Sequence, residues 1–293
     1  MRPIAAALLL GSLAGASWAQ EAGAPRPAAK GVNFYSLEKE RQLGQQLASR
    51  MAGSLPLVHE PKLDAYVAQL GAVLAKYAKA PFDYSFTFYE DRKLPQESPA
   101  GVFSGPAAGG VMPVDALRGP AGEPVAVAGG PIFIPMSLLA DAPSEAVFAF
   151  ELAHAMAHTA MRHQTRLATK TELTELAGVA GQVQGSPVSN NSAAANRQTA
   201  TLPQLTFARA AEREADYTAV QIVAKAGYDP LAMADYVSGQ PAPAGPAASS
   251  PHPLPGHRAG AIREEIARLL PNGTYGASTG GFAEAKKLAA TVR

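Results

Sequence analysis

Two histidines, His154 and His158, lie four residues apart in a segment made mostly of alanine and other apolar residues. In an α-helix this spacing puts both imidazoles on one face, about 6 Å apart along the axis, so both can reach one metal ion. Histidines four residues apart also occur as solvated or core-edge pairs without a metal. The spacing alone therefore gives a candidate metal site and leaves the other interpretation open.

The residue after the first histidine determines what chemistry such a site can perform. In the HExxH motif, a glutamate at this position takes a proton from metal-bound water and later passes it to the leaving amine. Here the position is Ala155, whose methyl group can do neither. Glu151 lies on the same helical stripe as the histidines and is a candidate substitute base. Its backbone is one turn below the pair, however, which favours a salt bridge or a supporting contact.

A second acidic segment offers a third metal ligand. Glu212 and Asp216 are four residues apart in a stretch that is predicted to be helical, so they share one face. Glu212 would complete a site of two histidines and one glutamate for a single Zn²⁺ ion, with water in the fourth position. Asp216 would accept the free N–H of a ligand histidine and fix its tautomer. The alternative is a solvated acidic face paired with Arg209 and Arg213, and the presence of both motifs in one chain favours the metal site.

With these motifs the chain resembles peptidase family M48, the gluzincin zinc metallopeptidases, and within it the periplasmic branch. The matching motifs follow one another in a fixed order: the segment 33–44, the glycine pair at 129–130, HAMAHTAMRH at 154–163, EREAD at 212–216, AGYDP at 226–230 and PHPLPGHR at 251–258. Two departures matter. Ala155 replaces the catalytic glutamate, and the approach to the glycine pair reads Glu123-Pro124-Val125 instead of a sequence of the NAF type.

The resemblance implies a mainly α-helical fold with a small β-sheet, in the α+β class of zincin metallopeptidases. It places the helix with the two histidines at about 144–163 and the helix with the third ligand at about 205–226. It also implies that Gly129, Gly130 and Ile132 belong to an edge strand to which an extended peptide substrate could add. A purely structural hairpin is the alternative for these residues.

Two further site residues are implied by the resemblance. Arg258 corresponds to a late arginine that would bind a substrate carbonyl or brace an acidic neighbour of the histidine helix. His252 corresponds to a histidine that can plug the zinc from a mobile loop, and an exposed loop histidine is the alternative. His163 and Arg162 are expected to cap or brace the histidine helix.

Composition and the N-terminus bear on class and location. The chain has 293 residues, 47% of them hydrophobic, with a net charge of +1, which is typical of a single enzyme-sized domain and not of a nucleic-acid-binding surface. Arg2, an apolar run and small residues near 17–19 predict a signal peptide over 1–19, an Ala/Pro-rich linker over 20–30 and a peptidase-family domain over 31–293. The chain contains no cysteine, and no later segment is apolar enough to span a bilayer. We therefore expect a periplasmic or secreted bacterial protein.

Apolar periodicity predicts the elements around the site. Two stripes at helical spacing are expected to pack in the core: Leu43, Leu47 and Met51, then Leu63, Val67, Leu70, Leu74 and Tyr77. Alternating aromatic residues at 82, 84, 86 and 88 predict a strand with one buried face, and short strands are expected at 125–127 and 132–134. Gly- and Pro-rich stretches at 94–122, 182–203 and 238–256 are expected to be long loops.

The sequence thus predicts an exported member of a zinc metalloendopeptidase family that acts on misfolded or envelope proteins, with catalysis impaired because Ala155 replaces the general base. The alternative is a non-catalytic pseudopeptidase that holds unfolded clients or envelope partners. A third hypothesis is a structural protein without metal. Metal content separates the third hypothesis from the others, and proteolysis separates the first two.

Overall fold

In the computed structural model, residues 33–93, 122–183, 202–240, 255–270 and 273–292 are described. The expected signal peptide, the linker, His252 and most of the three expected long loops lie outside these ranges, so those expectations remain predictions. The described residues are mostly helical with one small sheet. The expected α+β class is confirmed. No described helix combines the length and the apolar composition that a membrane span requires.

The helices of the described ranges are α1 Leu37–Ser54, α2 Pro61–Ala78, α3 Met136–Asp141, α4 Glu145–Ala160, α5 His163–Val183, α6 Leu202–Lys225, α7 Leu231–Ser238, α8 Pro255–Leu269 and α9 Phe282–Thr291. The two histidines lie on α4, and Glu212 lies on α6. Helix α4 packs against α2, α6 and α7. It is buried along nearly its whole length, because small and apolar residues occupy every face.

The four strands are β1 Leu57–Val58, β2 Ser85–Tyr89, β3 Val125–Ala126 and β4 Pro131–Pro135, in the order β1-β2-β4-β3. Strands β2 and β4 are parallel, and the other two pairs are antiparallel. Ile132 lies opposite Phe86 on β2 and Ala126 on β3. Strand β4 is therefore an inner strand, and the expectation that Ile132 lies on the sheet edge is wrong. The edge next to β4 is β3, which itself packs against α4.

The turn between β3 and β4 requires glycine. Gly129 and Gly130 have φ values of 82° and 124°, a region that residues with a side chain rarely adopt. A Cβ atom on Gly130 would overlap the carbonyl oxygen of Asp83, which precedes β2. The glycine pair therefore lets the hairpin turn lie directly against the start of the neighbouring strand.

Most of the predicted core residues are buried, but Leu43 and Leu47 of α1 are only half-buried and Tyr77 of α2 is exposed. Leu63, Val67, Leu70 and Leu74 of α2 are at most 1% exposed, whereas Tyr77 is 37% exposed. The stripe continues instead at Ala78, which is 2% exposed. At this end of α2 the buried face continues four residues after Leu74, at Ala78, and not three residues after it, at Tyr77. The prediction that Tyr77 packs in the core is therefore wrong.

The aromatic strand is shorter than its alternation predicts. Phe82 is buried but precedes β2, and Phe86 is only half-buried. Tyr89, on the opposite face from Phe88, is also buried, because it belongs to a second apolar cluster with Met51 of α1. Both faces of the end of β2 are therefore covered.

Two polar contacts hold the ends of α4. At its start, the Glu145 carboxylate accepts hydrogen bonds from the hydroxyls of Tyr66 at 3.2 Å and Ser278 at 2.7 Å, and from the backbone N–H of Thr279. Just beyond its end, Arg162 adopts φ 57° and donates from Nε to Glu40 Oε2 at 2.6 Å. Segments that are distant in the sequence thus fix both ends of the helix that carries His154 and His158.

Candidate metal centre

Three side chains converge at the centre of the molecule. The Nε2 atoms of His154 and His158 lie 3.0 Å apart, and each lies 3.4 Å from one oxygen of Glu212. The three residues are 5%, 5% and 2% exposed. Their ligand atoms all lie within 4.8 Å of one another, and in the described part of the chain this is the one such group of three that could hold an ion.

The other ring nitrogen of His154 is held by Asp216. Asp216 Oδ1 lies 2.9 Å from His154 Nδ1. A carboxylate can only accept, so Nδ1 carries a proton, and Nε2 faces His158 and Glu212. Burial alone would lower the pKa of His154, but its hydrogen bonds to Asp216 and Glu212 outweigh burial and raise the pKa to about 10. The surroundings of this ring thus favour a positive charge.

His158 has an equivalent neighbour in His163, the first residue of α5. The two Nδ1 atoms are 3.1 Å apart, and His163 Nε2 lies 3.1 Å from Glu214 Oε2. Burial lowers the pKa of His163 although Glu214 opposes the shift. Position 163 was expected only to cap or brace the histidine helix, and its contact with His158 was not foreseen. The sequence pattern could not predict this contact, because the helix breaks at 161–162, between the two histidines.

Arg258 is held by carboxylates on both sides. Its Nε donates to Asp216 Oδ2 at 2.9 Å and its Nη2 donates to Oδ1 at 2.9 Å, while Nη1 donates to Glu123 at 3.1 Å. Burial raises the pKa of Asp216, but Arg258 and His154 outweigh burial and hold it below its ordinary value. Arg258 is 7% exposed. Of its two expected roles, the contacts match bracing, and the acid that it braces lies on the Glu212 helix and not on the histidine helix.

Comparison with known proteins agrees with this geometry. Residues 124–266, which include all the residues of the centre except Glu123, match the model of peptidase family M48. Over these residues the chain resembles peptidase family M48. It is 24% identical over 259 residues to the β-barrel assembly-enhancing proteases of Escherichia coli K12 and Shigella flexneri, which covers 80% of this chain and 45% of each relative. The protein of the same name from Yersinia pestis is 23% identical over 265 residues, which covers 86% of this chain and 49% of the relative.

The chain spans about half the length of the curated relatives that it matches. The matched family region begins just before β3 and ends within α8. It therefore contains the hairpin, both ligand-bearing helices and Arg258. Helices α1 and α2 lie before it.

Ala155 lies on α4 between the two histidines and is 2% exposed. Its methyl group packs with the hydrophobic core. It offers no atom that could accept or donate a proton.

Glu151 lies three residues before His154 on α4. It is 2% exposed, and its Oε2 has no hydrogen-bond partner among the described residues. Burial, followed by the charge of Glu123, raises the pKa of Glu151 to about 7, against the opposing effects of Arg258 and His154. Glu123 and Arg258 belong to the group behind the Nδ1 edge of His154, whereas the ligand atoms converge at the Nε2 edge. The position of Glu151 one helical turn before His154, and the charges that act on it, favour a supporting role.

Proposed function

We propose that this chain binds one zinc ion through His154, His158 and Glu212, in a peptidase cleft whose ability to hydrolyse peptide bonds is impaired by Ala155. The observation that carries the proposal is the convergence of two imidazole Nε2 atoms, 3.0 Å apart, on one buried carboxylate. With a proton of His154 Nδ1 directed to Asp216, the Nε2 of His154 is the ring atom that would bind a metal. A cation bound between the two Nε2 atoms would satisfy both lone pairs and the Glu212 carboxylate in this buried site.

The donor set fits zinc. Two imidazole nitrogens and one carboxylate oxygen are the protein ligands of many catalytic zinc sites, which leave one position open. When bound, the ion would supply Lewis-acid chemistry that polarises a carbonyl oxygen. The chain's own residues orient the ligands: Asp216 holds His154, and Arg258 in turn holds Asp216.

Proton transfer is the step that this chain lacks. General acid–base help is worth about 10²–10⁴-fold in rate, and the residue that would provide it also positions the nucleophile. Ala155 can do neither, and Glu151 lies about one helical turn before His154. We therefore propose weak or absent proteolysis, with the site best described as a metal-binding pseudopeptidase.

The binding role that remains is to hold protein clients. Strand β3 is the edge of the described sheet beside α4, and an extended segment could add a strand there if it displaced Gln164, whose Nε2 donates to the Ala126 carbonyl. The similar proteins are named for β-barrel assembly, and the N-terminal residues have the pattern of a signal peptide. Both support unfolded or envelope proteins as clients of an exported chain. No feature favours a nucleic-acid partner.

Metal content tests the proposal. We expect about one zinc per chain after gentle purification, and a loss of most of it in His158→Ala. A matched control is His59→Ala, which removes a histidine outside the metal centre. Zinc well below half an equivalent in the unmodified chain, or equal zinc in His158→Ala and His59→Ala, would remove the metal site.

A further inference from the structure

The two ligand histidines are supported in different ways. The Nδ1 of His154 contacts a carboxylate directly, whereas the Nδ1 of His158 contacts a second imidazole, that of His163, at 3.1 Å. His163 is 0% exposed, and its far nitrogen lies 3.1 Å from Glu214 Oε2. We propose that His163, oriented by Glu214, is a positioning residue that fixes the tautomer of His158. This inference deepens the proposed metal site and rests on it.

The proton positions follow from the acceptor at the end of the chain. The Glu214 carboxylate accepts only, so His163 carries its proton on Nε2. A neutral His163 then has a bare Nδ1, which accepts the Nδ1 proton of His158. This leaves the Nε2 of His158 without a proton and directed toward His154 and Glu212. The chain of contacts therefore presents the lone pair that a metal ligand needs.

The opposite arrangement conflicts with the contacts. If His158 carried its proton on Nε2, His163 would have to donate from Nδ1. A neutral His163 would then face Glu214 with a bare Nε2, and a nitrogen lone pair and a carboxylate 3.1 Å apart repel each other. In a buried site that repulsion is only weakly screened. The contacts therefore select one tautomer of His158.

Two variants of His163 separate the effect of its hydrogen bonds from the effect of its packing. The ring of His163 also packs edge-on against Phe207, with centroids 6.5 Å apart. His163→Phe keeps an aromatic ring at this place and removes the acceptor. His163→Asn removes the ring and keeps an oxygen close to the position of Nδ1. A structural role predicts that the Phe variant is the milder change, whereas a positioning role predicts that the Asn variant is.

The test measures zinc affinity by competition with a chromophoric chelator, and the His158 tautomer from long-range ¹H–¹⁵N spectra of the full metal-free chain. We expect His163→Phe to weaken zinc binding about 10–100-fold, the usual effect of losing an orienting partner, and to leave His158 as a mixture of tautomers. His163→Asn should retain the Nδ1–H tautomer and most of the affinity. Equal losses in both variants, or an unchanged His158 tautomer in His163→Phe, would overturn the proposal.

Two more variants keep the test decisive. Thr169→Val is the matched control, because Thr169 lies on the same helix, is 1% exposed and contacts no ligand histidine in the described contacts. A zinc loss in Thr169→Val as large as in His163→Phe would assign the effect to helix packing. If His163→Phe does not fold, Glu214→Gln replaces it. Glu214→Gln weakens the acceptor for the Nε2 proton of His163. We expect a smaller drop in zinc affinity than in His163→Phe, together with a shifted His158 tautomer. No change in either measurement would again reject the proposal.

Failure of the metal site itself gives a different result. If the unmodified chain binds no zinc, the proposed function is wrong, but the tautomer of His158 can still be measured without metal. An Nδ1–H tautomer that His163→Phe disturbs would then uphold the positioning contact alone. A chain that binds zinc with an undisturbed tautomer would uphold the metal site and reject the role of His163.

Discussion

Arg258 donates hydrogen bonds to both carboxylate oxygens of Asp216. Its Nε and Nη2 atoms each lie 2.9 Å from a different carboxylate oxygen, so the planar guanidinium and the carboxylate form a two-point contact. Asp216 in turn holds His154, and the third guanidinium nitrogen reaches Glu123 just before β3. One buried cation therefore connects the sheet edge to a candidate metal ligand.

We expect Arg258→Met to destabilise the fold. The substitution keeps much of the side-chain volume but leaves the buried Asp216 and the half-buried Glu123 without their cation, a kind of loss that costs about 3–5 kcal/mol at a buried pair. Arg258→Lys keeps the charge but not the two-point geometry, so it should fall between Met and the unmodified chain. Urea unfolding of the metal-free variants measures this order. A Met variant as stable as the unmodified chain would show that the ion pairs contribute no net stability.

Asp216→Asn should weaken zinc binding without unfolding the chain. The amide retains an acceptor oxygen for His154 but lacks the negative charge, and the loss of such a partner costs about 10–100-fold in metal affinity. Asp141→Asn is the control, because Asp141 pairs with Arg92 on the surface and its side chain is 73% exposed. Isothermal titration of both variants with zinc decides the point. Equal affinities would mean that Asp216 does not support the ligand.

Gly130→Ala should lower the free energy of unfolding by about 1–3 kcal/mol, because its φ of 124° is unfavourable for a side chain. The new Cβ would also overlap the Asp83 carbonyl. Gly53→Ala provides the contrast: it lies within α1, nothing lies within 4 Å of its Cβ position, and alanine there should add about 0.5–1 kcal/mol. Thermal unfolding measures the stability of both variants. If both became more stable, the backbone conformation assigned to Gly130 would be wrong.

The sequence predicted what local spacing encodes. Helical spacing places His154 and His158 on one face, and the same rule pairs Glu212 with Asp216 on another helix, so both ligand groups are visible without a structure. The hydrophobic period likewise predicts the buried stripe of α2 up to Leu74.

Relationships that depend on how elements pack could not be predicted in this way. Strand order is set by pairing between distant segments, so Ile132 was placed on an edge that belongs to β3. The contact between His163 and His158 crosses a helix break, where helical spacing no longer applies. The pairing of Glu123 with Arg258 joins residues 135 positions apart. No local pattern reports any of these three.

Restoring the missing base gives the most direct test of catalysis. We expect Ala155→Glu to raise chelator-sensitive cleavage of unfolded casein by about 10²–10⁴-fold, because a carboxylate beside the two histidines could again accept and deliver a proton. Ala155→Gln is the matched control, since it has nearly the same size and polarity but cannot act as a base. Position 155 is buried beside the core, so zinc content and circular dichroism must first match between the two variants.

If Ala155→Glu then cleaves casein no faster than Ala155→Gln, more than the base is missing from this site. If the unmodified chain already cleaves casein at a similar rate, and Glu151→Gln abolishes that activity, Glu151 is the working base and the pseudopeptidase proposal is wrong.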